Sequence, residues 1–304
     1  MRLKSLLTGI STSGPANTPD PEIKGLACDS RKVRPGFLFI ALKGTLRDGH
    51  DFIEDAVRNG ASAVVGESFT GTVPVAENIP TFQVPDSRVA LAQLALNFYG
   101  QPFRNMNLIG ITGTNGKTTT SYLLESILLT AGSRPGVIGT ISYRAPGITW
   151  PAPLTTPDSL ELIRILRSMA DTGVSDVVME VSSHALDQKR ITGCPFRTAV
   201  FTNLSRDHLD YHGSMSAYFE AKSRLFRELR SEGDRNDTKA VINADDPSAG
   251  KLARLTPVPV VTYGLERDCN VRAEQVVSGK SGVTARLIAP GGRTEVRSSL
   301  IGGF

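Results

Sequence analysis

Cysteine is scarce in this chain. Its three residues, Cys28, Cys194 and Cys269, are odd in number and far apart, which argues against a disulfide framework and against a zinc knuckle. Long apolar runs are missing too: none approaches the roughly 20 residues that span a bilayer, so no membrane insertion is expected. The opening MRLKSLLTGI has a basic flank but no sustained apolar core, so no signal peptide is expected and a cytoplasmic location is. Neither sign of charge dominates. The net +4 suits an anionic small molecule and is poor ground for a nucleic-acid partner. There is no internal repeat and no low-complexity tract, and a monomer is expected.

What remains is ordinary globular material, 40% hydrophobic and 21% charged, in a chain of 304 residues that is long enough for two domains. Residues 1–86 carry short mixed segments: FLFIAL (37–42) and ASAVVG (61–66) read as buried strands, and Asp51 to Asn59 as a helix stopped by Gly60. RVALAQLALNFY (88–99) has helical apolar spacing and marks the boundary to a second domain, 87–304. There the pattern becomes strand, turn, helix, repeated. NLIGIT, VIGTIS, SDVVMEV (175–181), TAVFTNL (198–204) and KAVINA (239–244) alternate with helices over Thr118 to Thr130, Ser159 to Ala170 and Met215 to Leu229. Short β-branched runs between helices predict an α/β fold, a mostly parallel sheet covered on both faces. PVVTYG, NVRAEQVV and GVTARLIA predict a small β-rich extension of the same domain.

ITGTNGKTTT (111–120) lies at a strand-to-helix junction. Ile111 stands where the strict phosphate-loop pattern has its first glycine, so that pattern fails. The chemistry does not need it. Gly113, Asn115 and Gly116 bring backbone N–H groups to a helix start, which favours an anion. Lys117 reaches terminal phosphates, and the Thr118 hydroxyl suits a phosphate-bound Mg²⁺.

Such a loop needs an acidic partner at the end of another strand. Glu180, closing SDVVME, is the candidate, because a carboxylate is costly to bury unless paired or bound to a cation. The adjacent SSH (182–184) lacks the elbow of a serine nucleophile and reads as polar substrate contacts. In NLSRDHLDYH (203–212), His208 and His212 stand four apart, as a zinc pair on a helix would, but HExxH is absent. One histidine completing a Mg²⁺ shell is the more economical reading. Lys222, on the amphipathic AYFEAKSRLF, reads on its own as a solvated lysine.

Taken in order, TGTNGKTTT, TTPDSLEL, MEVSSHALDQKR, FTNLSRDHLDYHGSMSAYFEAKSRLF and VINADDP, with DSRKVRPGFLFIALKGTLRDGHDFI before them, closely resemble the Mur ligases of peptidoglycan synthesis. The resemblance covers essentially the whole chain. It implies an N-terminal UDP-substrate-binding domain and a central ATP-binding domain. The implied enzyme is an ATP-dependent amide ligase that joins a diamino acid to the D-Glu of UDP-MurNAc-L-Ala-D-Glu through an acyl phosphate. Diaminopimelate is the expected amine and L-lysine the alternative.

The resemblance assigns Gly113, Thr114, Asn115, Gly116, Lys117, Thr118 and Thr119 to ATP, with Asn243 and Asp246 towards the adenosine. It makes Thr118, Glu180, His208 and a carbamylated Lys222 the Mg²⁺ ligands, and places Lys117, Glu180, His208 and Lys222 in the catalytic set. Ser30, Thr45, Leu46 and Arg47 match the uridine-nucleotide site. Thr155, Thr156, Ser182, Gln188 and Arg190 match contacts to the muramoyl-dipeptide. The family's third, C-terminal domain, which supplies the diamino-acid pocket, is expected to be absent, making this a truncated ligase. A non-catalytic ATP- and UDP-substrate-binding fragment, a folate- or cyanophycin-type ligase and a non-ligase NTPase are the competing readings; the first domain argues against the folate-type one.

Overall fold

The computed structural model describes residues 1–14, 18–44, 47–69, 79–231 and 237–300. Along the chain the main elements are α1 (Leu3–Leu6), β1 (Gly25–Ala27), β2 (Phe37–Ile40), α2 (Ile53–Arg58), β3 (Ala61–Gly66), β4 (Thr81–Gln83) and α3 (Ser87–Tyr99). Next come β5 (Asn107–Thr112), α4 (Lys117–Thr130), β6 (Pro135–Ile138), β7 (Tyr143–Ala145), β8 (Ile148–Trp150), α5 (Ser159–Asp171), β9 (Asp176–Glu180) and α6 (Ser183–Asp187). The rest are β10 (Phe196–Phe201), α7 (Leu209–His212), α8 (Met215–Arg227), β11 (Lys239–Asn243), α9 (Ala249–Leu255), β12 (Val260–Gly264), β13 (Val271–Gly279), β14 (Gly282–Ala289) and β15 (Gly292–Ser298).

The chain divides into two compact units. One comprises Met1–Asn105, Pro157–Asp171 and Gln188–Cys194; the other comprises Met106–Thr156, Thr172–Asp187 and Pro195–Phe304. The first unit holds a parallel sheet ordered β1-β2-β3-β4. The central strands β2 and β3 bury side chains on both faces, which is why they read as continuous apolar runs. Leu38 and Ile40 join Ala63, Val65 and the α3 residues Ala90, Leu91 and Leu94 on one side. Phe39, between them, joins Val64 and the α2 residues Ile53 and Ala56 on the other. α3 starts where Asp86 caps it, accepting from the backbone N–H of Arg88 and Val89.

The second unit holds an eleven-stranded sheet, ordered β15-β14-β13-β12-β11-β10-β5-β9-β6-β7-β8. From β13 across to β6 neighbouring strands are parallel; β7–β8 and β14–β15 add antiparallel margins. This is the expected mostly parallel sheet with a β-rich extension. α4 lays Leu124 and Leu128 over Ile111, Val137, Val178 and Val200. On the opposite face α8 puts Leu225 above Gly110, where a Cβ would crowd it at 3.3 Å.

In the second unit two strands end three or more residues sooner than the apolar pattern predicts, and in the first unit FLFIAL stops at Ile40. VIGTIS stops at Ile138 because Gly139 and Thr140 turn towards Glu180, and TAVFTNL stops at Phe201 because Thr202 and Asn203 pair with the 113–116 loop. The short strands β7 and β8, turning on Gly147 at φ 79°, and the exposed β15 carry no expectation from the sequence. All three cysteines are free thiols, as their spacing predicts. Among the described residues no helix is long and apolar enough to cross a membrane.

Candidate phosphate and cation site

β5 ends at Thr112 and α4 begins at Lys117, so four residues must reverse the chain. Two glycines make this possible. Gly113 sits at φ 150°, and a Cβ on it would lie 1.9 Å from Thr202 Oγ1; Gly116 is left-handed at φ 86°. The segment after β10 holds the loop in shape. Thr114 N–H donates to the Asn203 carbonyl (2.9 Å), Asn115 N–H to Asn203 Oδ1 (3.0 Å), and Thr202 Oγ1 to the Asn115 carbonyl (2.7 Å). The Thr114 hydroxyl accepts from Ser205 N–H (3.0 Å) and meets the Tyr218 hydroxyl at 3.2 Å. Thr119 is exposed on the first turn of α4.

Two lysines converge on this loop. Lys117 Nζ donates to the carbonyls of Gly113 and Thr114, each at 2.8 Å, and Lys222 Nζ donates to the same Gly113 carbonyl at 2.9 Å. The reading of Lys222 as a solvated lysine is therefore wrong: the residue is only 2% exposed, and its ammonium lies 4.5 Å from the centre of the Tyr218 ring. Burial, reinforced by Lys117 and opposed by Asp207, pulls the Lys222 pKa down to about 7. Burial also lowers that of Lys117, against the pull of Glu180 and Asp207.

Glu180 ends β9 and is 1% exposed. Its Oε2 accepts from the hydroxyls of Thr118 (2.8 Å) and Thr140 (3.1 Å), and its Oε1 from Thr140 N–H (3.2 Å). Neutral donors thus compensate its burial. A carboxylate and a hydroxyl oxygen side by side, at the start of the helix that carries the loop, form a donor pair suited to a hard divalent cation.

His208 lies apart from that pair in its bonding. It precedes α7 at φ 50°, half exposed, with Nε2 3.5 Å from Asp207 Oδ2, and its ring stands 4.9 Å from that of His184. His212, whose pKa burial lowers, meets Ser183 Oγ through Nε2 at 2.9 Å. Among the described residues no three His, Cys, Asp or Glu side chains gather to hold a metal.

The remaining expected residues fall as follows. Asn243 Nδ2 donates to the Thr202 carbonyl (2.8 Å), so it touches the segment that shapes the loop. Asp246 is buried, and its carboxylate accepts from Leu204 N–H and Ser248 N–H, each at 2.7 Å. Thr156 is wholly buried, donating to the Glu180 carbonyl (2.8 Å) and accepting from Ser182 N–H (3.0 Å); Thr155 is half-buried beside Thr140. In the other unit, Ser30 and Arg47 line a cavity of about 510 Å³ together with Cys28, Asp29, Arg31 and Phe52. Thr45 and Leu46 lie outside the described residues. Gln188 Oε1 accepts from Arg190 Nη2 at 2.7 Å.

Thr140, Thr202, Asn203 and Tyr218 were not singled out from the sequence as site residues. The signal for Tyr218 and the buried Lys222 was there: positions 218, 222 and 225 fall on one helix stripe, and both apolar members are buried. For Thr140 and Asn203 no such signal existed, since only the fold brings them to Glu180 and to the loop.

The model of the Mur ligase middle domain matches residues 111–304, and that of the Mur ligase family catalytic domain matches residues 22–99. The UDP-N-acetylmuramoyl-L-alanyl-D-glutamate--2,6-diaminopimelate ligase of Geobacter metallireducens is 48% identical across all of this chain, and that of Geobacillus thermodenitrificans 45%. This chain spans 59% and 61% of those two proteins. A solved structure of a ligase of that name superposes with a TM-score of 0.78 at 34% identity, covering 91% of this chain and 56% of the other. The MurF ligase of Thermotoga maritima, solved in complex with ADP, superposes at 0.58 with 26% identity, covering 90% and 57%.

Proposed function

This chain belongs to the Mur ligase family, and from that premise we propose that it carries the nucleotide and UDP-substrate sites of an ATP-dependent amide ligase. The acyl substrate is UDP-MurNAc-L-Ala-D-Glu and the amine is meso-diaminopimelate, a reading supported by the names of the relatives that match the whole chain. The setting is cytoplasmic peptidoglycan precursor synthesis, and the protein acts as a monomer. One observation carries the reading: the buried Lys222 and the half-buried Lys117 meet at the Gly113 carbonyl, beside the Thr118–Glu180 pair.

A carboxylate resists attack by an amine because oxide is a poor leaving group. In the proposed first step the D-Glu carboxylate oxygen attacks the γ-phosphorus of ATP. ADP leaves, and the product is an acyl phosphate. In the second step the amine nitrogen bonds to the acyl carbon, phosphate departs, and the amine gives up a proton. The protein contributes position and charge. With the Thr114 and Asn115 N–H groups taken by Asn203, the loop offers the backbone N–H groups of the first residues of α4, and Lys117 can exchange its two carbonyls for phosphate oxygens. Thr118 and Glu180 would hold Mg²⁺, with His208 the further ligand that the family resemblance implies, and the ion's charge would counter that of the phosphates.

Lys222 has a separate part. A buried amine with a pKa of about 7 is substantially neutral near physiological pH, so its nitrogen can bond to CO₂ with loss of a proton. The carbamate is an anion and can serve a second Mg²⁺. Carbamylation leaves one N–H where the ammonium had three and removes the positive charge that Lys222 brings to the Gly113 carbonyl, which keeps its bond from Lys117. The first unit's cavity at Ser30 and Arg47 takes the uridine nucleotide. The test offers ATP, UDP-MurNAc-L-Ala-D-Glu and either diaminopimelate or lysine, and reads the product by mass spectrometry. A diaminopimelate tripeptide is expected. A lysine tripeptide would overturn the choice of amine, and a nucleotide turned over without regard to the UDP-substrate would overturn the ligase reading.

A further inference from the structure

Thr140 bonds to the buried carboxylate and to a substrate-side threonine at once. It follows Gly139 at the end of β6, and Gly139 is tightly placed: a Cβ there would lie 2.3 Å from Glu180 Oε1. That close approach delivers Thr140 N–H to Oε1 (3.2 Å) and its hydroxyl to Oε2 (3.1 Å). The same hydroxyl lies 3.1 Å from Thr155 Oγ1.

The direction of these bonds follows from the proton count. An ionised carboxylate only accepts, and a hydroxyl has one proton to give. Thr140 therefore spends its proton on Glu180. In the bond to Thr155 it must accept, so Thr155 spends its proton on Thr140. The hydroxyl of half-buried Thr155 is left with lone pairs to offer and no proton to donate.

We propose that Thr140 is a positioning residue that fixes Glu180 towards the cation and makes Thr155 an obligate acceptor, selecting an amide N–H or hydroxyl of the acyl substrate. The assignment rests on the ligase reading for the identity of that substrate. It adds a requirement which that reading lacks: a group that can only accept a hydrogen bond is rejected at Thr155, and the cation and substrate contacts share one hydroxyl. Thr118 also donates to Oε2, but it stands on α4 and makes no bond to Thr155, so it cannot replace Thr140 in this coupling.

The test is calorimetric titration of the wild-type chain, Thr140→Val, Thr140→Ser, Thr155→Val and the Thr140→Val/Thr155→Val double variant. The ligands are UDP-MurNAc-L-Ala-D-Glu, and ADP with and without Mg²⁺. Thr140→Val is expected to weaken the UDP-substrate about tenfold and to shrink the Mg²⁺-dependent gain in ADP affinity by a similar factor, leaving Mg²⁺-free ADP binding unchanged. Thr140→Ser should restore both, and the two valine substitutions should lose less together than the product of their separate effects. Wild-type behaviour in Thr140→Val overturns the proposal. So does an equal loss of Mg²⁺-free ADP binding, which marks a merely structural residue, or a Thr140→Ser variant that behaves like valine. If the wild-type chain binds ADP but not the UDP-substrate, the ligase reading itself fails and takes this assignment with it.

Discussion

Lys117 and Lys222 share one acceptor: their ammonium groups lie 2.8 and 2.9 Å from the Gly113 carbonyl oxygen. Two like charges brought to a single carbonyl repel each other, and Lys117 is among the causes of the low Lys222 pKa. An arrangement that strains against itself in this way is relieved by an anion between the two, or by removing one of the charges. The proposed function uses both routes, phosphate at Lys117 and carbamylation at Lys222.

The Lys222 shift has a definite sign. Its pKa falls from 10.5 to about 7 on folding, so between those values the unfolded chain binds the extra proton and stability rises with pH. Lys222→Met is expected to be more stable than wild type below that window, with the difference shrinking as pH rises through it. Denaturant unfolding at a series of pH values, in buffers free of CO₂, reads this. With labelled bicarbonate, the wild type should show a carbamate resonance that disappears on acidification and never forms in Lys222→Met.

Gly113 and Gly116 should not respond alike to substitution. Alanine at 113 combines φ 150° with a Cβ only 1.9 Å from Thr202 Oγ1, so the loop or the segment after β10 must move. A loss of about 1–3 kcal/mol is expected, together with ADP affinity lowered on the order of tenfold as the shared carbonyl shifts. Alanine at 116 meets nothing nearer than 3.9 Å and should cost about 1 kcal/mol, for its left-handed backbone alone. Thermal unfolding and ADP titration distinguish the two.

Glu180→Gln should separate folding from cation binding. The amide oxygen can accept from Thr140 N–H while its NH2 donates to the Thr118 and Thr140 hydroxyls, which can turn to accept, so stability should stay within about 1 kcal/mol of wild type. The Mg²⁺-dependent part of nucleotide affinity should fall on the order of tenfold or more, while the Mg²⁺-free part is unchanged. Titration with ADP at several Mg²⁺ concentrations checks this.

In the first unit, His50 ties the cavity loop to the sheet. Its Nδ1 lies 2.5 Å from Asp48 Oδ1, and its Nε2 accepts from Glu67 N–H at 2.9 Å, which puts the ring proton on Nδ1. Its chain neighbours Gly49 and Phe52 line the cavity. His50→Ala leaves the Glu67 N–H without its acceptor and Asp48 with only the backbone N–H of residue 50, at a cost of about 1–3 kcal/mol. UDP affinity should fall with stability, as calorimetry on the variant would record.

How far the sequence could be read depended on range. Phosphate loop, parallel strands and covering helices are local features, and NLIGIT, Gly113, Gly116 and Lys117 stand where their pattern puts them. Lys222 was misjudged without the family resemblance because charge outweighed spacing, although Tyr218 and Leu225 on the same stripe are buried. Thr140 and Asn203 had no local signal. Thr140 meets Glu180 across 40 positions of sequence and Asn203 meets Asn115 across 88, contacts that exist only once the sheet order is set.

The central claim is that ATP held at this loop activates the D-Glu carboxylate, and the acyl phosphate is its signature. Hydroxylamine added to the chain with ATP, Mg²⁺ and UDP-MurNAc-L-Ala-D-Glu, but no diamino acid, traps that intermediate as a hydroxamate visible by mass spectrometry. The account predicts a hydroxamate that requires ATP and disappears in Lys117→Ala. ADP formed at the same rate with and without the UDP-substrate, and with no hydroxamate, would contradict it.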